Sequence, residues 1–104
     1  EDCKIYNLPA SMFFPPLTGK WRFLPLSARV KKVRRRLEAA IRDKGIFHLW
    51  FHPFNVAGAP ELLEALDEIL TLVAVEQRRD VLRSATMSDV AALLDLHEEE
   101  ARCD

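Results

Sequence analysis

The stretch Ile46-Phe47-His48-Leu49-Trp50-Phe51 is the strongest constraint on how this chain folds. It is apolar or aromatic at nearly every position and is bounded by Gly45 before it and Pro53 after it. A surface strand alternates polar with apolar residues, and a surface helix leaves one polar face. This segment does neither, so it reads as a short strand buried on both sides, as in a parallel sheet flanked by helices. The rest of the chain must then supply cover for it.

The flanking segments have helical patterning. From Ser27, a candidate cap, the apolar positions Val30, Val33, Leu37, Ala40 and Ile41 recur at helical spacing up to about Lys44, and Gly45 suits the stop. The other face of this helix is basic: Arg29, Lys31, Lys32, Arg34, Arg35 and Arg36. After a turn over residues 53–59, Pro60 opens a second helix to about Arg79. Its stripe is Leu62, Leu63, Leu66, Ile69, Leu70 and Val73, with Glu61 and Glu64 near the positive end. Thr86 and Asp89 form a capping box for a third helix through about Leu96, with Val90, Leu93 and Leu94 inward.

Residues 1–26 read as an irregular lead-in, since Pro9, Pro15, Pro16 and Pro25 break any helix. Within it, residues 4–8 suit a short strand, and the apolar stretch 12–17 suits a cover over a core. Residues 81–85 suit a last strand, and 97–104 a frayed polar tail. These assignments give an α/β fold with its helix and strand core over residues 27–96 and, counting residues 4–8, about three short parallel strands with three helices, too few strands to close. That is the pattern of a partial (β/α) barrel.

Composition narrows the function classes. With 104 residues the chain suits one domain, and 49% hydrophobic with 30% charged residues it should fold. Fifteen Lys and Arg against sixteen Asp and Glu leave no overall pull toward nucleic acid or an anionic membrane, and no apolar run is long enough to span one. The N-terminal residues Glu1-Asp2-Cys3-Lys4 carry no charged-then-apolar leader, which leaves the compartment open. Cys3 and Cys103 lie at opposite ends, and two free thiols are expected rather than a disulfide joining the termini.

The octapeptide from His48 through Asn55, HLWFHPFN, resembles the closing active-site motif of the polysaccharide deacetylases, the NodB-homology family (carbohydrate esterase family 4). Leu8-Pro9-Ala10-Ser11-Met12 before it and Ala85-Thr86-Met87-Ser88-Asp89-Val90-Ala91 after it are similar to flanking segments of that family, so the likeness covers most of residues 5–94. It implies a barrel of NodB type and metal-dependent hydrolysis of acetyl groups on a polysaccharide substrate. In the complete domain a divalent metal, usually zinc, is held by an Asp and two His, and a second Asp acts as base.

The motifs carrying those metal ligands are missing here, and the first histidine is His48. The chain is therefore expected to be inactive alone. The resemblance also implies a partner for the open barrel edge, either the missing N-terminal half or another protein. By residue, His52 matches the family's general acid, a role an imidazole suits near neutral pH. Leu49 and Trp50 match the apolar wall that receives the acetyl methyl, while His48 and Asn55 are supporting residues.

Each assignment has a plainer alternative. His48 and His52 have the i, i+4 spacing of a helical zinc pair. On a strand, however, they are about 13 Å apart at ~3.3 Å per residue, too far to share one ion. His52 alone suits a strand end with no catalytic role, and the basic helix face suits plain solvation. The competing functional reading is a non-catalytic interaction or scaffold module derived from the same fold.

Overall fold

A computed structural model describes residues 4–103. The chain divides into two units, Pro9–Leu82 and the pair of segments Glu1–Leu8 with Arg83–Asp104.

In the first unit the order is β1 (Met12–Phe13), a 3-10 turn (Gly19–Phe23), α1 (Leu26–Arg42), β2 (Leu49–Trp50), α2 (Pro53–Ala57) and α3 (Pro60–Arg78). The two strands pair in parallel, Met12 beside Leu49 and Phe13 beside Trp50. The chain is mostly helical. The expected partial (β/α) barrel with three parallel strands is therefore overturned: among the described residues there is one sheet of two strands, each two residues long. Neither residues 4–8 nor 81–85 form a strand. The partner of β2 comes instead from the stretch expected only to cover the core.

Proline explains why the ladder is so short. Phe14 donates its N–H to the Trp50 carbonyl at 2.9 Å, after which Pro15 and Pro16 have no N–H to offer. Three residues past Trp50, Pro53 starts α2 and ends any extension of the other strand. On the N-terminal side, the Ser11 and Met12 N–H groups both donate to the His48 carbonyl (2.8 and 3.2 Å), and Ser11 Oγ accepts the His48 N–H at 2.9 Å.

The core lies on one face of this pair. Met12, Phe14, Val30, Val33, Val56, Leu62, Ala65 and Ile69 form a single buried cluster, with Phe47, Leu49 and Phe51 packed against it. α1 packs along α3, and α2 also packs on α3. Each fully buried side chain such as Val33 or Leu62 contributes roughly 1.5–3 kcal/mol. The alternation 47, 49, 51 inward leaves Trp50 and His52 exposed, so the expectation of a strand buried on both sides is corrected: only one face is covered.

Arg29 is the one buried charged residue among those described. Its Nη2 donates to the carbonyls of Pro16 (2.9 Å) and Trp21 (2.6 Å), tying the lead-in to α1, while Nε and Nη1 lack partners. Burial lowers its pKa.

The helix ends differ from the sequence reading in instructive ways. Pro25, not Ser27, is the residue before α1, and no side chain caps that end. At its other end Lys44 takes the left-handed conformation (φ 54°), with its N–H on Ile41 and that of Gly45 on Ala40. This is a Schellman closure with lysine where glycine is usual. Asp80 (φ 61°) closes α3 the same way.

The second unit contains α4 (Met87–Cys103). Its capping box forms as read: Asp89 accepts from the Thr86 N–H at 3.0 Å, and the Asp89 N–H donates to Thr86 Oγ1 at 3.1 Å. These bonds hold the Asp89 carboxyl below its usual pKa. The helix runs on through the expected frayed tail to Cys103, whose thiol is free and exposed; Cys3 lies outside the described residues. Tyr6 donates to Asp95 (2.5 Å), and Lys4 pairs with Glu98.

Candidate functional site

His52 stands where β2 hands over to α2. Because Pro53 follows it, its backbone is held extended (φ −89°, ψ 121°). The ring stacks on Phe54 (centroids 5.1 Å, 16° between planes) and meets Trp50 edge-on (5.3 Å, 88°). Phe13 adds a second edge contact at 6.2 Å and lies 4.4 Å from Trp50 across the ladder. Trp21 extends the row, 6.4 Å from Phe13. Five rings thus form a ledge on the face of the strand pair opposite the core.

The ledge is open to solvent. Phe54 is 73% exposed and Trp50 39%, and His52 is exposed. Apolar rings gathered in one place on a surface mark a contact site more often than scattered ones do. Among the described residues His52 makes no side-chain hydrogen bond. Its side-chain contacts are the rings of Phe54, Trp50 and Phe13.

The other sequence candidates separate. Leu49 packs against the core while Trp50 turns outward, so the two do not form one wall. His48 is half-buried, and its Nδ1 is enclosed without a partner. It serves the structure mainly through its backbone, which ties Ser11 to the strand. Asn55 lies on α2, half-buried, and its N–H donates to the His52 carbonyl at 3.0 Å. Phe13, Trp21 and Phe54 were not singled out from sequence. Phe54 lay within the octapeptide, but nothing local linked Phe13 or Trp21 to it, since the link is the parallel pairing.

A divalent ion does not fit these residues. Among those described, no three His, Cys, Asp or Glu side chains gather where an ion could be held, so no chemical step is derived through one. No protein-family model matches the chain, and no curated protein or solved structure is similar to it.

Proposed function

We propose that this chain supplies the glycan-contacting, proton-donating part of a polysaccharide deacetylase-like activity. The nucleophilic half of that reaction has no donor set among the described residues. The observation that carries this reading is the exposed ledge of Trp50, His52 and Phe54 at the end of β2.

The chemistry follows from the ring types. A pyranose presents a flat face of C–H groups that stacks on Trp or Phe, burying apolar area while its hydroxyls stay wet. An imidazole beside that stack can donate a proton to the oxygen or nitrogen that leaves as an acetyl group is cleaved. Phe54 and Trp50 hold the His52 ring in place, so donation needs no rearrangement of the protein. On this reading the isolated chain binds acetylated sugar chains and does not hydrolyse them.

Titration with N-acetylglucosamine oligomers tests the proposal, read by tryptophan fluorescence. Trp21 and Trp50 are the only two tryptophans, and both belong to the ledge. A saturable change that disappears in Trp50→Ala and persists in Leu63→Ala is expected. No change in fluorescence, or in the His52 ring signals by NMR, up to millimolar sugar would refute it. Acetate release by the isolated chain with added zinc would refute the expected inactivity.

A further inference from the structure

α1 carries a charge arrangement that its own stability does not explain. Lys31, Arg34 and Arg35 stand at i, i+3 and i+4, and Lys32 and Arg36 repeat the spacing one residue on. Like charges so placed repel across the helix surface. They are also poorly placed for the helix dipole, since the first turn of α1 has no acidic residue and Glu38 is the helix's single carboxylate. None of the three cations forms an ion pair within the described residues.

Lys31, Arg34 and Arg35 line a groove of about 460 Å³ along α1, with Ser27, Glu38 and, from α3, Glu68. The volume lies in the range of ligand-holding clefts, roughly 300–1,000 Å³. The lining contains no aromatic side chain.

We infer that this groove binds an anionic polysaccharide, a sugar chain bearing spaced carboxylates. Each guanidinium can take a carboxylate through two parallel N–H bonds. Glu38 and Glu68 can accept hydrogen bonds from the hydroxyls between those charges. The same two carboxylates disfavour a nucleic acid, whose phosphates are much denser, at about one charge per 1.7 Å of duplex axis. The absence of a ring for bases to stack on points the same way. The ligand class rests on the glycan reading above; the residues are separate from the ledge.

The test uses polygalacturonate oligomers as the probe and compares the wild-type chain with a triple variant, Lys31→Gln, Arg34→Gln and Arg35→Gln. All three positions are exposed, and circular dichroism checks the fold. Single Arg34→Gln and Arg35→Gln variants serve if the triple variant does not fold. We expect salt-dependent binding that weakens tenfold or more in the triple variant and severalfold in each single one, while Arg42→Gln leaves it unchanged. Binding unaltered by these substitutions, or duplex DNA bound as tightly through the same residues, would overturn the inference. A wild-type chain that does not bind the oligomers while Trp50 still responds to neutral sugar would overturn the inference and leave the ledge reading standing; oligomers bound through Lys31, Arg34 and Arg35 with no Trp50 response would refute the ledge reading, and the groove would then stand on its own binding data.

Discussion

The unit Pro9–Leu82 and the segments around α4 use similar residues to different effect. In the first unit Leu62, Ala65 and Ile69 of α3 face α1 and are buried, joined by Val30 and Val33. In α4, Val90, Leu93 and Leu94 follow the same helical spacing, yet no residue of that helix is buried and Leu93 is 46% exposed. Its described ties to residues 4–8 are polar, Tyr6 with Asp95 and Lys4 with Glu98. An apolar stripe becomes a core only when another element presents a matching stripe. Spacing makes the helix, and the facing surface makes the burial.

Truncation should expose this contrast most sharply. Leu62→Ala is expected to cost about 2–5 kcal/mol, because it empties a fully buried position, whereas Leu93→Ala should cost within about 0.5 kcal/mol. Urea denaturation of both variants checks this, and equal losses would break the comparison. Arg29→Ala comes next. It should cost about 2–3 kcal/mol by orphaning the carbonyls of Pro16 and Trp21 and leaving a void. Arg29→Met should recover much of that loss, since an apolar chain fills the space without a buried charge.

Smaller effects come from the turns and from α4. Lys44→Gly should stabilise the first unit by about 0.5–1 kcal/mol by relieving the left-handed strain at φ 54°, read as a raised urea midpoint. Asp80→Gly should gain less, because Asp tolerates that conformation better. In the second unit the prediction concerns titration. The hydrogen bond to Asp95, followed by burial and nearby negative charge, raises the Tyr6 phenol to about 12 from 10.0. A folded-state pKa above the unfolded value favours folding fully below pH 10 and loses that contribution as the pH rises through about 12. Tyr6 is the only tyrosine, so absorbance near 295 nm should titrate with a midpoint near 12 and fall back toward 10.0 in Asp95→Asn.

The three long helices were legible because their signals are local, whereas α2 over Pro53–Ala57 lies in the stretch read as a turn. The second helix was expected from Pro60 to about Arg79 and runs Pro60–Arg78, and the Thr86–Asp89 capping box forms as read. The strands were not legible in the same way. Residues 4–8 and 81–85 have strand-like composition, but a strand also needs a neighbour offering free N–H and C=O groups. That neighbour went to Met12–Phe13, in a stretch where the prolines had argued for irregular chain. The candidate site divides similarly. His52 and Trp50 stood out as residues, but their companions Phe13 and Trp21 join them only through the parallel ladder.

By itself, the sequence determined where the three long helices lie, where prolines stop them, and which face of α1 is basic, because propensity, capping and charge act over a few residues; the short α2 over Pro53–Ala57 reads as a turn. Only the tertiary structure decided that the aromatic strand is covered on one side, and that its outer rings meet those of the lead-in. It also decided that one arginine is buried. Those outcomes depend on which distant segments meet, and no local pattern carries that information.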